Sequence, residues 1–486
     1  MNTLRPILSD STRQLLDLHG RNFFELLTVF GSPLFILFPD EFAINIQRFR
    51  EVFANKDFET NIFFAAKVNK AKCFVDVVVT EGIGVDVAGY EEFVTALAAG
   101  CSGKRIAVSG VEKSDELLAL AVRHGSIISI DTESEWIRLA NIVSQIGHGC
   151  FGRTLLRFSG FELDSNHGTR IKEDGRFGFN IDQSNRLIAS LRVASANNLI
   201  VEGASFHLDN FSLKDRDRAI RLCVDFCLNA RQHLGPCNLI DVGGGFPIQY
   251  VEKSDWQSFL NANVSQLTNP NFRNRDFGIC QIGDVISTGI LYPDCPEHTS
   301  SDFFRALLEH KPEGGLELAD LLIRSGVEVC IEPGRSLLDQ CGMSVCEIIS
   351  VKNSTSGALL VVCDMNISHM WDQLIGSEFA VDPILIKRQP AESEKSVTVH
   401  LVGNSCLETD VISWRPIALM ALPERGDLLC FINTAGYQMD FIESAVHKKP
   451  KPERLVAFKL NDQWFWTPDS KHSGIKNRGI PFLPNN

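Results

Sequence analysis

Eight short apolar runs between about residues 60 and 340, separated by longer stretches with helical periodicity, constrain this fold more than any other feature. Unalternating apolar runs are typical of parallel strands buried on both faces, and eight strand–helix units predict a (β/α)8 barrel of the TIM type in an α/β fold. Ser114 is the predicted N-cap of one intervening helix. The predicted strands are residues 62–67, 84–87, 105–109, 126–130, 154–158, 201–207, 238–242 and 328–332.

Beyond about residue 345 the sequence consists of short apolar stretches broken by turn residues, which predicts a C-terminal β-rich domain. The stretch SPLFILF near the amino terminus predicts one more strand, which can belong to either domain. We predict an N-terminal segment 1–40 packing with the β domain, a barrel 41–340 and a β domain 341–486. Residues 252–325 are long for one connection and predict an excursion or a lid-like insertion.

Polar, titratable side chains stand at or beside the ends of the predicted strands. Considered singly, each of these residues could be a solvent-exposed loop residue or a core residue whose polar atoms are hydrogen-bonded. Because the active site of this barrel lies at the carboxyl ends of its strands, the whole set indicates a site. The set comprises Lys67, Asp86, Asp131, Arg157, His207, Asp241 and Glu332.

Two glycine-containing loops follow the seventh and eighth predicted strands. They are DVGGGFP, residues 241–247, and EPGRSLL, residues 332–338. Backbone N–H groups without side chains can approach an anion closely, and this corner of the barrel commonly binds phosphate. Neither loop matches a dinucleotide fingerprint or a Walker loop, so nucleotide binding by those routes is unsupported.

The motifs AAKVNK, GVDVAGYEEF, SFHLDN, DVGGGFP, EPGR, CLETD and TAGY occur in the order found in one family. With them the chain resembles the fold-type III pyridoxal-phosphate enzymes, specifically the diaminopimelate, ornithine and arginine decarboxylase group, whose barrel is of the alanine racemase type. The resemblance covers most of the chain and is closest to diaminopimelate decarboxylase-like proteins. It implies that pyridoxal 5'-phosphate is the cofactor.

Family roles carry over where residues match. Lys67 would hold pyridoxal phosphate as a Schiff base, which suits an amine whose pKa falls readily on burial. Glu332 would keep the pyridine nitrogen protonated, which favours decarboxylation through a quinonoid over racemisation. His207 would stack on the ring, and Asp86 with Glu92 would support the base of the site. The implied phosphate contacts are Gly243, Gly244, Gly245, Gly334 and Tyr437, with Arg335 contacting substrate or phosphate.

The β domain would complete the site of a partner subunit in a homodimer with shared active sites. Cys406 would protonate the product or gate that step, and Asp410 would accompany it across the interface. Tyr437 and Glu408 are further candidate contacts of an amino-acid substrate.

Two segments depart from the family pattern. After His207 the chain has Leu208, Asp209 and Asn210 where the family commonly has valine, glycine and serine, which brings a carboxylate toward the expected phosphate. Leu407 replaces the acid that reads the distal end of a basic substrate. Glu408 follows it, but neighbouring side chains of an extended segment point to opposite faces.

The sequence therefore predicts a pyridoxal-phosphate-dependent amino-acid decarboxylase. The alternatives are a decarboxylase or racemase of an unusual conjugated amino acid in secondary metabolism, and a non-catalytic relative that binds a partner or a ligand. A formal net charge of −13 and the lack of a long basic block argue against nucleic acid as a partner.

No run approaches the roughly 20 apolar residues of a membrane span, so we expect a cytoplasmic protein with no membrane partner. Its fourteen cysteines are scattered along a long chain, which predicts reduced thiols and no metal site.

Overall fold

The computed structural model describes residues 3–54, 60–147, 149–164, 170–193, 198–208, 210–267, 291–292, 295–355, 357–370, 378–389, 395–413, 415–440, 446–460 and 463–472. Helices in these ranges are α1 (Asp10–His19), α2 (Asn22–Phe30), α3 (Pro39–Phe53), α4 (Lys72–Glu81), α5 (Tyr90–Ala98), α6 (Asp115–His124), α7 (Glu133–Ile146), α8 (Ser184–Val193), α9 (Leu213–Ala230), α10 (Lys253–Leu267), α11 (Ser300–Leu308) and α12 (Leu318–Ser325).

The strands in the same ranges are β1 (Leu34–Leu37), β2 (Thr60–Ala65), β3 (Gly84–Val87), β4 (Ile106–Val108), β5 (Ile127–Ile130), β6 (Gly152–Ser159), β7 (Glu162–Asp164), β8 (Arg170–Lys172), β9 (Phe179–Asn180), β10 (Leu199–Phe206), β11 (Leu239–Asp241), β12 (Leu291–Tyr292), β13 (Glu328–Ile331), β14 (Gly342–Asn353), β15 (Leu359–Cys363), β16 (Glu378–Phe379), β17 (Ile384–Ile386), β18 (Val397–Val402), β19 (Ile417–Leu419), β20 (Leu428–Ile432), β21 (Glu453–Leu460) and β22 (Gln463–Pro468).

The chain forms two compact units. One, here called the barrel unit, comprises residues 43–247 and 298–337; the other, the sheet unit, comprises residues 1–42, 248–297 and 338–486. The bounds predicted from the sequence, 1–40, 41–340 and 341–486, remain a prediction about independently folding domains.

The barrel unit confirms the eight predicted strands. Its parallel strands follow the order β10, β11, β13, β2, β3, β4, β5, β6, and the pairing of β6 with β10 closes the barrel. Strands β3, β4 and β5 are buried at every position, as their unalternating apolar sequences predict. Eight predicted strand ends therefore meet at one rim.

Local signals position the helices around this barrel. Ser114 is the N-cap of α6, as predicted, since its Oγ accepts the N–H of Leu117 at 3.3 Å. The same helix ends at Gly125, whose φ of 68° lies in the left-handed region that glycine adopts readily. With both ends fixed, α6 leads directly into β5.

The sheet unit confirms the predicted β-rich second domain. Its main sheet has the order β19, β18, β15, β14, β1, β21, β22, and β20 joins by pairing with β14 and β17. The stretch SPLFILF supplies β1, which lies between antiparallel β14 and parallel β21. Alternate residues of neighbouring strands, among them Leu34, Ile36, Met343 and Val345, form one apolar core in this unit.

The predicted excursion over residues 252–325 is described only in part. Helix α10 belongs to the sheet unit, and helices α11 and α12 belong to the barrel unit. Residues 268–290 and 293–294 lie outside the described residues, as does Asp209. A lid-like role for this segment stays a prediction. None of the helices in the described ranges is long and apolar enough to cross a membrane.

Candidate active site

Lys67 lies in a single helical turn, Ala66–Val68, that directly follows β2. Its neighbours Ala66 and Val68 are buried and hold the turn against the barrel, while the Lys67 side chain is exposed. The amine lines a cavity of about 340 Å³ at the carboxyl ends of the strands. The position therefore suits a lysine that must be reached by a small molecule.

The cavity brings together five of the seven strand-end residues singled out from the sequence, namely Lys67, Arg157, His207, Asp241 and Glu332. Asp86 and Asp131 are not among its lining residues. Further lining comes from Ser109, Ser129, Phe177 and Ser205. The strand-end pattern thus predicted a real concentration of polar groups.

Three buried carboxyl groups, Asp86, Asp241 and Glu332, form what we call the carboxyl cluster. Burial and the charge of Asp241 raise the pKa of Glu332 well above its usual range, while Lys67 opposes this rise. Burial, then the charge of Glu332, raises the pKa of Asp86 to about 7. Burial also raises the pKa of Asp241 to about 6. Burial therefore makes all three carboxyl groups harder to ionise than carboxyl groups in water.

The imidazole of His207 is fixed by the glycine loop. Its Nδ1 accepts the N–H of Gly244 at 3.3 Å, which leaves Nε2 to carry the ring proton. Although the residue opens onto the cavity, the surrounding protein limits its hydration and, with the charges of Lys67, Arg216 and Arg157, lowers the pKa of His207 to about 3. The ring is therefore neutral, which suits stacking on a flat ligand.

The loop DVGGGFP is built by its own glycines. Gly243 and Gly245 have φ values of 66° and 74°, where a side chain is strained. The N–H of Gly243 donates to Asp241 Oδ1 at 2.9 Å, so this N–H, like that of Gly244, is engaged within the protein. Among the predicted phosphate contacts of the barrel unit, Gly245 and Gly334 are therefore the better candidates.

Arg216 holds this loop from behind, a role that the sequence analysis did not predict. The side chain is fully buried on α9. Its guanidinium donates to the carbonyl oxygens of Gly244 at 2.9 Å, Leu208 at 2.6 Å and Gly245 at 3.1 Å. Arg216 thus joins the glycine loop to the segment that follows β10. Its helical spacing from the buried Ile220 and Cys223 was the signal available in the sequence.

Gly334 allows close packing between two parts of the site. A β-carbon at this position would overlap Val68 Cγ2 and lie 3.5 Å from Ala65 Cβ. The loop EPGR therefore rests directly on the turn that carries Lys67. Arg335 follows in the same loop, and its predicted contact with substrate or phosphate stays a prediction.

Arg157 is a second cationic group of the cavity. Its guanidinium lies 3.6 Å from Asp131 Oδ1 and 4.5 Å from the ring centre of Phe177. Behind this wall, the buried Lys113 pairs with the buried Glu135 at 3.0 Å. The sequence predicted neither pairing, because their members lie more than twenty residues apart on different elements.

The predicted site residues of the sheet unit differ in their exposure to solvent. Cys406 and Glu408 are exposed, whereas Asp410 is buried. The carboxylate of Asp410 accepts the N–H groups of Ile367 at 2.7 Å and Ser405 at 2.8 Å. Tyr437 has a φ of 68°, a left-handed conformation uncommon for a tyrosine. Roles of these four residues toward a substrate or cofactor stay predictions.

Comparison with known proteins gives the family. The model of the pyridoxal binding domain of pyridoxal-dependent decarboxylases matches residues 40–276, and that of their C-terminal sheet domain matches residues 206–435. Uncharacterized protein y4yA of Sinorhizobium fredii is 30% identical over 458 residues, covering 94% of both chains. Diaminopimelate decarboxylase of Bacillus subtilis is 22% identical over 462 residues, covering 92% of this chain and 91% of the relative.

Solved structures share the fold. Diaminopimelate decarboxylase from M. jannaschii is 18% identical, with a TM-score of 0.69 over 91% of this chain and 90% of the other. Lysine/ornithine decarboxylase from Vibrio vulnificus, solved with putrescine, is also 18% identical, with a TM-score of 0.64 over 94% of this chain and 100% of the other.

The barrel, the sheet unit and these matches together define the class of fold-type III pyridoxal-phosphate-dependent decarboxylases. The chain belongs to that family, as its motifs predicted.

The chemical groups around the cavity match those that the cofactor of this family requires. An amine at Lys67, a carboxyl group with a raised pKa at Glu332 and an imidazole at His207 line one cavity, and His207 is hydrogen-bonded to the adjoining glycine loop. Asp86, which carries a buried Oδ1 with no hydrogen-bond partner among the described residues, is close enough for the charges of Lys67 and Glu332 to shift its pKa. These groups match a ligand that carries a carbonyl, a ring nitrogen and an anionic phosphate.

Proposed function

We propose that the protein decarboxylates an amino acid with pyridoxal phosphate, in the manner of diaminopimelate decarboxylase. The observation that supports this most is that Lys67 lines one cavity together with Glu332 and Asp241, two members of the carboxyl cluster. Glutamate at position 332 favours decarboxylation over racemisation, because a carboxyl facing the ring nitrogen strengthens the cofactor as an electron sink.

When bound, the cofactor withdraws electrons from the α-carbon of an amino acid and weakens the bond to its carboxylate. Lys67 Nζ would attach it covalently, and Glu332 would face its ring nitrogen. The neutral ring of His207 would pack on its face, while Gly245 and Gly334 would donate N–H groups to its phosphate. Asp86 would face the amine of Lys67 and tune the charge on it.

The sheet unit would supply groups for the substrate. We propose that Cys406 supplies the proton that replaces the departing carboxylate at the α-carbon, and that it does so across the interface of a homodimer with shared sites. Tyr437 and Arg335 remain the proposed contacts of phosphate or substrate. Because Leu407 is exposed where the family has an acid, we infer that the distal end of the substrate is less cationic than a free amine or bulkier than one.

The first experiment tests Lys67. Protein loaded with pyridoxal phosphate should show visible absorbance, and borohydride should fix the cofactor covalently on the peptide that contains Lys67. Lys67→Ala should abolish both signals. Lys70→Ala, which removes an exposed amine three residues away, is the matched control and should keep them. Absorbance and fixation that survive Lys67→Ala would contradict the proposal.

A substrate screen separates the remaining functions. Cofactor-loaded protein should release carbon dioxide from at least one member of a panel that includes basic, dicarboxylic and N-conjugated amino acids. Chiral analysis of the recovered amino acid detects racemisation. Racemisation without carbon dioxide would replace the proposed reaction, and failure to bind pyridoxal phosphate would favour a non-catalytic relative.

A further inference from the structure

Cys406 has a histidine partner within the sheet unit. It lies in the loop of residues 403–410 that follows β18, and the Sγ atom is 3.2 Å from Nε2 of His447. The two residues are 41 positions apart in the chain, and both are exposed. A thiol at this distance can donate its hydrogen to a neutral imidazole nitrogen. The contact therefore joins a candidate proton donor to a base that water can reach.

The loop that carries Cys406 is held by a buried carboxylate. Asp410 accepts the N–H of Ser405 and that of Ile367, and its own N–H donates to Leu407 O at 3.0 Å. The Leu407 N–H in turn donates to Ser405 Oγ at 3.3 Å. These bonds close a tight turn around Cys406, so the exposed sulfur sits on a fixed backbone.

The segment that carries His447 is held by a separate contact. Asp364 Oδ1 accepts a hydrogen bond from Asn404 Nδ2 at 2.5 Å and lies 3.5 Å from Lys449 Nζ. Asp364 therefore ties the Cys406 loop to the His447 segment independently of the contact between sulfur and imidazole. His447 and Lys448 also adopt left-handed φ values of 57° and 52°, which cost free energy in residues other than glycine. That cost is tolerated in a segment that aims an imidazole at the thiol.

We propose that His447 is a positioning residue that orients the Cys406 thiol and returns a proton to it in each turnover. This rests on the proposed function, in which Cys406 gives its proton to the α-carbon of the substrate. The neutral His447 imidazole then takes a proton from hydronium or a buffer acid, and the resulting imidazolium passes a proton to the Cys406 thiolate, which restores the thiol and the neutral imidazole. One solvent proton then enters for each carbon dioxide that leaves, so the step balances.

The charged groups around the pair come from three segments. Lys448 and Lys449 lie on the His447 segment, Asp364 follows β15, and Glu408 and Asp410 belong to the Cys406 loop. The positive charges of nearby lysines favour the thiolate form of a cysteine even without direct contact. A test must therefore separate the direct contact with His447 from the general effect of the neighbouring lysines.

Alkylation of the thiol provides that test without any turnover. The rate at which iodoacetamide modifies Cys406 in the cofactor-loaded protein is measured by peptide mass spectrometry between pH 6 and 9. Because the thiolate is the nucleophile, His447→Gln should slow the reaction about tenfold at pH 7 and by much less at pH 9. Lys448→Gln, which removes a neighbouring charge and keeps the imidazole, should change the rate less than about twofold. Equal rates in the wild type and His447→Gln, or equal losses in both variants, would overturn the contact.

Turnover tests the return of the proton. With a substrate found by the carbon dioxide screen, His447→Gln should lower kcat about tenfold and leave KM nearly unchanged. Added imidazole should restore kcat in His447→Gln and not in Cys406→Ser. An unchanged kcat, or a loss that imidazole does not restore, would overturn the proton-return role.

The two readouts separate the failure of this inference from that of the proposed function. If no amino acid in the panel is decarboxylated, the proposed function fails, and slow alkylation of His447→Gln still supports the contact. If carbon dioxide is released and alkylation is unaffected by His447→Gln, the proposed function stands and the inference fails.

Discussion

Glu332 is a carboxyl group whose surroundings raise its pKa well above its usual range and so favour the protonated form. Burial and the charge of Asp241 raise its pKa, while the cations Lys67 and Arg157 oppose that rise. A carboxyl with this environment can present a proton to a ring nitrogen and then keep the resulting charge pair out of water. The proposed role in decarboxylation therefore depends on the ability of Glu332 to give up its proton and carry a negative charge.

Glu332→Gln removes the acidic proton and the carboxylate that its transfer would leave, and it keeps nearly the same shape. We expect the variant to bind pyridoxal phosphate and to release carbon dioxide at least about 100-fold more slowly, because the amide cannot stabilise a protonated ring nitrogen. Glu328→Gln, at the opposite end of β13, is the matched control and should lose less than about twofold. The measurement is kcat for carbon dioxide release on the fully loaded protein. A Glu332→Gln enzyme with normal kcat would contradict the role assigned to Glu332.

At the scale of elements, Arg216 is the link between α9 and the glycine loop. The helix presents Arg216 on the same buried stripe as Ile220 and Cys223, so the guanidinium enters the barrel unit where carbonyl oxygens of two loops converge. In the glycine loop, Gly243 and Gly245 have left-handed φ values, and the carbonyl oxygens of Gly244 and Gly245 accept hydrogen bonds from Arg216. The loop conformation and the buried cation therefore depend on each other.

Arg216→Met keeps the apolar stem and removes the donors. It should lower the free energy of unfolding by about 3 kcal/mol, since several buried carbonyls lose their partner, and it should weaken the binding of pyridoxal phosphate. Arg221→Met, on the same helix and paired with the buried Asp217, is the control for binding: it can also lower stability but should leave cofactor binding unchanged. Urea unfolding and a fluorescence titration with the cofactor measure the two effects. If Arg216→Met bound the cofactor as tightly as the wild type, the hydrogen bonds from Arg216 to the glycine loop would not determine the shape of the site.

Whether a feature could be predicted from the sequence also depends on the structural element that carries it. Strands β2, β3 and β13 were predictable because each is an apolar run ended by a polar residue, so Lys67, Asp86 and Glu332 could be located before any geometry was known. The pairing of Cys406 with His447 was not, because both lie in loops and no periodicity relates residues 41 positions apart. The same reason hid Lys113 and Glu135. The position of β1 between β14 and β21 required long-range pairing that a local pattern does not encode.

At the scale of the whole molecule, the carboxyl cluster makes stability depend on pH in a direction opposite to that of surface carboxylates. The pKa of Asp86 is about 7 in the folded chain, against about 3.9 in an unfolded one. Between these values the folded state binds more protons than the unfolded state, so this group lowers stability as pH rises through that window. His207, with its pKa lowered to about 3, acts in the opposite sense below about pH 6.5. Substitution at a single site is therefore needed to isolate the effect of the cluster.

Asp86→Asn isolates it, because asparagine has the same shape and no charge to bury. In protein free of cofactor, the gain in unfolding free energy over the wild type should grow by about 2 kcal/mol from pH 5 to pH 8. Asp225→Asn, an exposed position on α9, should show no such growth. Urea unfolding at the two pH values measures both variants. If the gain in unfolding free energy of Asp86→Asn were constant with pH, Asp86 would already be ionised at pH 5. Burial would then not keep this carboxyl group protonated near neutral pH. A growing advantage would show that the barrel unit gives up stability near neutral pH to keep these carboxyls beside Lys67.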